Sequence, residues 1–224
     1  MFRSVSTPAG APQVRERLCR AIVPLTMIRW GRFAAAYALL GIASGSIAIV
    51  WGKGSPLHHP DPWLHLSALD GHSYSLAVGL AFSALIVVTT RALVPRISWA
   101  RALHRQLRPI ATGISFAGIG VLAVLSAVGE EVFFRGLLQP WVGLVPQALL
   151  FGFLHQVPGQ SRWVWVSWAT LVGLALGAMF ALTGSLVGPL VAHAIINGLN
   201  LSYLKRHDPD PQPRSLGGLL SLRG

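Results

Sequence analysis

Apolar runs long enough to cross a bilayer, separated by short polar connections, leave this chain few ways to fold. They fall at about residues 33–51, 74–90, 110–139, 142–156, 163–183 and 185–204, and a crossing helix takes about 20 residues. Hydrocarbon offers no partner for a free backbone N–H or C=O, so such runs satisfy their own backbone as α-helices. Charged residues make up 11% of the chain, against roughly 25% in soluble domains. The fold expected is an all-α, polytopic transmembrane bundle of about six spans. Small residues recur in the first, third and fifth spans (ASGS, GISFAGIG, GLALGA) and let helix backbones approach closely.

A net charge of +11 would suggest a nucleic-acid partner in a soluble protein. Here the basic residues lie between the apolar runs, where they record orientation instead. With six spans, sixteen of the eighteen Lys and Arg fall on one side, all but Lys53 and Arg135. Both termini are therefore expected in the cytoplasm and the chain in a bacterial inner membrane, with the lipid bilayer and no nucleic acid as partner. Residues 1–32 read as a basic, interfacial segment, 33–204 as the transmembrane domain, and 205–224 as a disordered cytoplasmic tail. The single Cys19 excludes an internal disulfide. No cleavable signal peptide is expected, because the first apolar run follows an arginine-rich lead and is too long for one.

Of seven acidic residues, Glu130 and Glu131 interrupt the third apolar run in SAVGEEVFFRGLL. An ionisable group inside the membrane costs a few kcal/mol or more, so it usually faces the protein interior and serves a function. Arg135 follows Glu131 by four residues, on the same helix face, which suits an ion pair; Glu130 points about 100° away. Taken alone, the three could be a neutralised cluster that only fixes packing. Two further spans bring i, i+4 pairs of their own, Phe151 with His155 and His193 with Asn197. By residue counting from the non-cytoplasmic face, Glu130 lies roughly 14 Å deep, His193 roughly 12 Å and His155 roughly 20 Å. The site is thus expected between the third, fourth and sixth spans, opening outward. A carboxylate, two imidazoles and a carboxamide suit hydrolysis of a peptide bond: glutamate beside histidine deprotonates water, and histidine or asparagine stabilises the oxyanion.

Glu130-Glu131-x-x-x-Arg135, Phe151-x-x-x-His155 and His193-x-x-x-Asn197 resemble, in order and spacing, the three motifs of the CAAX-protease and bacteriocin-processing family. These are glutamate-type intramembrane endopeptidases related to the type II CAAX prenyl endopeptidases. The resemblance covers about residues 110–204, the family's catalytic core; residues 1–109 carry no diagnostic match. It implies that Glu130 and His155 activate water, that His193 and Asn197 line the site and stabilise the oxyanion, and that Glu131 and Arg135 hold the local structure. Phe151 counts among the supporting residues. The substrate implied is a membrane-associated protein or peptide. With an outward-facing site the nearer relatives would be myxosortase-like enzymes, which process C-terminal sorting signals of exported proteins.

No cofactor is favoured. Zinc or another divalent metal is the alternative, with Glu130, His155 and His193 as ligands, although no HExxH is present. A loop with His58, His59, His65, His72, Asp61 and Asp70 matches no standard metal spacing and reads as a solvated outer loop dipping to the interface. Two other functions compete: a catalytically silent membrane protein that binds or escorts a partner, and a small transporter using the intramembrane Glu and His groups. The intact motif set argues against the first, and the lack of a visible inverted repeat against the second.

Overall fold

The computed structural model describes residues 11–210 apart from 53 and 158, with side chains from Trp30 onward. Helices account for every regular element among the described residues, joined by one isolated backbone bridge between His58 and Ser185. They are α1 (Ala11–Trp51), α2 (Ala68–Arg96), α3 (Ser98–Thr112), α4 (Phe116–Glu131), a π-helical segment (Val132–Leu138), α5 (Gln139–Val142), α6 (Leu144–Leu154), α7 (Arg162–Thr183) and α8 (Val187–Arg206). Four stretches are long and apolar enough to cross a membrane: Trp30–Trp51, Ala68–Arg96, Phe116–Val142 and Arg162–Thr183. α6 is a shorter apolar helix, and α8 is 20 residues long but interrupted by His193, Asn197 and Asn200. The chain is an integral membrane protein built as an all-α bundle.

The helix ends follow local chemistry. Ser67 caps α2, accepting from the Asp70 N–H at 3.2 Å while its hydroxyl donates to the Asp70 carboxylate at 2.6 Å. Ser115 caps α4 by accepting from the Gly118 N–H at 3.0 Å. Gly184, with φ of 72°, ends α7 in the left-handed conformation. Two elements depart from the sequence reading. The basic connection after α2 is itself the helix α3, because Ile97 turns to an extended conformation after Pro95 and a new helix starts at Ser98. The end of the chain read as a tail is ordered at its start: α8 runs to Arg206, the His207 carbonyl accepts from His104 and Arg108, and Asp208 and Asp210 pair with Arg108 and Arg105. The first ten residues of the basic lead and residues 211–224 lie outside the described residues.

α2 packs on α8, α1 on α4, and α6 on α7, while α4 also packs on α8. The α1–α4 crossing is backbone to backbone. A Cβ at Gly129 would collide with the Tyr37 carbonyl, and one at Gly41 would lie 3.3 Å from the Gly129 Cα. Such closeness is the means by which small residues bind helices in a bilayer.

The two ends of the bundle differ. At one end the segment between α1 and α2 folds back onto the α7–α8 turn. Its Trp63 and Leu64 N–H groups donate to the carbonyls of Ala181 and Leu182 at 2.7 and 3.1 Å, satisfying the exposed end of α7. His59 N–H donates to the Gly184 carbonyl and Leu186 N–H to the Leu57 carbonyl, both at 3.0 Å. This histidine-containing loop is docked rather than simply solvated. His58 and His72 lie ring to ring at 5.3 Å, and His72 Nδ1 is 2.7 Å from the Ser185 hydroxyl. The other end carries Arg91, Arg96, Arg101, Arg105, Arg108, Arg162, Lys205 and Arg206, with α3 resting on the last turn of α8.

Candidate active site

α4 enters the core as an unbroken helix as far as Glu131, and the π-helical segment then widens the turn that holds Arg135. Such segments are often found at functional sites. Glu131 and Arg135 are both fully buried and pair at 2.9 Å, as their spacing leads one to expect. Arg135 also donates to the Gly173 carbonyl of α7 at 3.0 Å and lies 4.6 Å over the Phe151 ring. Nearby, Gln139 donates to the Gly177 carbonyl at 2.9 Å. Buried arginine and glutamine thus spend their hydrogen bonds on the α7 backbone and fill the half of the bundle toward the loop.

Glu130 points the other way. Its Oε2 lies 3.4 Å from His155 Nε2 and 3.9 Å from His193 Nε2. Each imidazole is oriented from behind. His155 Nδ1 is 2.7 Å from the Phe151 carbonyl, which can only accept, so Nδ1 carries the proton and Nε2 faces Glu130. His155 also stacks on the Phe151 ring, centroids 4.2 Å apart. His193 Nδ1 is 2.6 Å from Glu131 Oε1, the oxygen that also receives Arg135. Asn197, one turn further along α8, donates to the Ser126 hydroxyl at 3.0 Å. Glu130, His155, His193 and Asn197, read from three separate apolar runs, line one cavity, and Glu131, Arg135 and Phe151 support them from behind.

Glu131 has a second task that spacing alone does not give, since it orients His193 as well as pairing with Arg135. One residue was missed altogether. The Tyr37 side chain on α1 borders the same cavity as Glu130, close to its carboxylate. No motif marks it; the small-residue pattern of α1 and α4 was the available signal that these helices touch.

The cavity measures about 540 Å³. Its walls are apolar, with Leu93, Trp99, Leu103, Leu107, Trp165 and Trp168 among them. They come from the end of α2, from α3, and from the halves of α4, α7 and α8 that lie toward the arginine-rich end. The site therefore sits at the inner end of a cavity directed to that end, which corrects the expected outward opening. Counting residues places each group along its helix, but the direction of the cavity depends on what fills each half. The docked loop and the Arg135–Gln139 network close the side expected to be open.

Among the described residues no group of three or more His, Cys, Asp or Glu side chains is arranged to hold a metal ion, in the histidine loop or elsewhere.

The helical membrane bundle thus buries a carboxylate beside two oriented imidazoles at the end of a cavity. Residues 112–199, which contain all seven motif residues, match the family described as Type II CAAX prenyl endopeptidase Rce1-like. The uncharacterized protein YpbD of Bacillus subtilis (strain 168) is 38% identical over 78 residues, 35% of this chain and 41% of YpbD. The matched region thus spans less than half of that relative's length. No solved structure matches. The family is one of proteases.

Proposed function

We propose that this protein is an intramembrane endopeptidase that hydrolyses a peptide bond of a membrane-associated polypeptide by water activation at Glu130 and His155. The observation that carries the reading is the convergence of two back-oriented imidazoles on Glu130 Oε2, at 3.4 and 3.9 Å, at the inner end of an apolar cavity. A water that donates one hydrogen to Glu130 and the other to His155 Nε2 keeps its lone pairs free to attack a carbonyl carbon. Glu130 takes the proton as the C–O bond forms and returns it to the amine nitrogen as the C–N bond breaks. The oxyanion is met by the second N–H of Asn197 and by His193, whose ring Glu131 orients through Nδ1.

Positive residues collect on the cytoplasmic side of membrane proteins, so a cavity directed to the arginine-rich end receives cytoplasmic substrates. A protein of the prenylated CAAX type is accordingly the first substrate to try, ahead of the sorting signals of exported proteins. The apolar walls suit a substrate segment delivered from the bilayer.

The test uses purified protein in lipid nanodiscs and a fluorogenic, prenylated CAAX peptide. Wild type is expected to cleave it. Glu130→Gln is expected to lose at least about a hundredfold in turnover with an unchanged melting temperature. Turnover is also expected to survive prolonged treatment with EDTA or phenanthroline. Wild-type-like turnover by Glu130→Gln would refute the glutamate mechanism. Activity lost to chelation and restored by zinc would make Glu130, His155 and His193 metal ligands instead, with the ion supplying the activated water.

A further inference from the structure

We infer that Tyr37, outside the segment matched by the family, is a positioning residue that fixes the Glu130 carboxylate for water activation. The inference rests on the endopeptidase reading for its purpose and on geometry for its substance.

The contact is built in at the level of the backbone. Gly129 has no space for a Cβ because the Tyr37 carbonyl occupies it, so α1 and α4 touch at the residue just before Glu130. At that crossing the Tyr37 side chain lies along the cavity wall beside Glu130, with its hydroxyl close enough to be turned onto the carboxylate. The crossing continues one turn later, where Gly41 abuts Gly129. The backbone of α1 at Tyr37 is therefore fixed against the turn of α4 that carries Glu130.

The carboxylate needs this hold. His155 uses Nδ1 on the Phe151 carbonyl and, in the neutral ring, presents a lone pair at Nε2 toward Glu130, while His193 Nε2 stands 3.9 Å away, beyond hydrogen-bond reach. In that state neither imidazole donates a hydrogen bond to the carboxylate. The phenol is a donor in every state that the reaction passes through, because it ionises only near pH 10 in its ordinary form. A hydrogen bond from Tyr37 thus fixes the carboxylate rotation while the water site beside His155 stays free. Loss of a hydrogen bond to a charged group corresponds to roughly tenfold or more in rate when the bond serves the transition state.

The test has two arms on the full chain in nanodiscs. In the first, ultraviolet resonance Raman spectra of wild type and Tyr37→Phe are subtracted to isolate the Tyr37 ring doublet. A strong-donor pattern that disappears in Glu130→Ala is expected. A Tyr37 doublet unaffected by Glu130→Ala would overturn the inference whatever the proteolytic result. In the second arm, Tyr37→Phe is expected to lower kcat about tenfold with KM changed less than about twofold. Incorporating 4-aminophenylalanine at this position, which restores a donor at the same reach, is expected to recover most of the loss. Equal kcat in wild type and Tyr37→Phe would also overturn it. If Tyr37→Phe assembles poorly, the 4-aminophenylalanine protein and Glu130→Ala alone supply the Raman comparison. A wild type that cleaves no peptide, with the Raman pattern intact, would sink the endopeptidase reading and leave the Tyr37–Glu130 bond standing without its proposed purpose.

Discussion

Glu131 Oε1 accepts from His193 Nδ1 at 2.6 Å and from Arg135 at 2.9 Å, so one buried oxygen links an imidazole of the site to the cation that anchors α7. The structural half and the chemical half of the EExxxR motif are therefore not separable. Glu130 works on the cavity side, and Glu131 ties the same turn to α8 and α7.

The first consequence concerns Glu131→Gln. It removes the counter-charge of a fully buried arginine and replaces a carboxylate at His193 with an amide. Breaking one partner of a buried pair costs about 3–5 kcal/mol, because the remaining charge is stranded. A clear drop in melting temperature in detergent is expected, together with loss of turnover in the protein that remains folded. The double variant Glu131→Gln with Arg135→Met removes both charges and is expected to regain part of the stability but not the activity, since His193 stays unsupported. A double variant no more stable than the single one would show that stranded charge is not the cause.

A pH dependence is expected from the docked loop, outside the spanning helices. Burial holds the His59 imidazole below its ordinary value of 6.5; its ring packs edge-on to Phe180 at 5.1 Å, and Nδ1 is 3.2 Å from the Asp61 N–H, from which it accepts. A folded value below the unfolded one means the unfolded chain binds the proton first. The stabilising contribution of His59 is complete above about pH 6.5 and is lost as the pH falls through the lower, folded value. Thermal stability in detergent is expected to decline below pH 6.5, and His59→Gln to flatten that decline. An identical pH slope in wild type and His59→Gln would rule out His59 as the sensor.

Much of this molecule could be read before its structure, for two physical reasons. Hydrocarbon admits few backbone conformations, so apolar length alone located α1, α2, α7 and the long run through Glu131. Intramembrane charge is costly enough that Glu130, Glu131, Arg135, His155 and His193 stood out from their surroundings. What stayed hidden depends on contacts between elements. Tyr37 looks like any aromatic residue in an apolar helix until Gly129 brings α1 against α4. The π-helical turn at Val132–Leu138 has no residue signature, because widening a turn needs no special side chain. α3 was hidden by its charge: it buries Ala100, Leu103, His104 and Ala111 and carries arginines on its other positions, so it has no continuous apolar run. The direction of the cavity depends on backbone hydrogen bonds from Trp63 and Leu64 to the end of α7, which no residue type announces.

That direction makes the last prediction, about which compartment the site serves. The cavity is bordered by Leu107 on α3 and reaches Glu130 from the arginine-rich end. The opposite end is covered by the loop containing Ser55. If positive charge marks the cytoplasm, Gln160 between α6 and α7 lies inside the cell and Ser55 outside it. Single cysteines at Ser55, Leu107 and Gln160, each in a Cys19→Ser background, are to be treated with a membrane-impermeant thiol reagent. Intact cells are expected to label Ser55→Cys alone. Inside-out vesicles are expected to label Gln160→Cys strongly and Leu107→Cys more slowly, because Leu107 lines the cavity and is partly buried. Prior incubation with a peptide that fills the cavity should protect Leu107→Cys and not Gln160→Cys. Labelling of Gln160→Cys in intact cells without Ser55→Cys would reverse the orientation, and exported proteins would then replace cytoplasmic ones as the substrates to test.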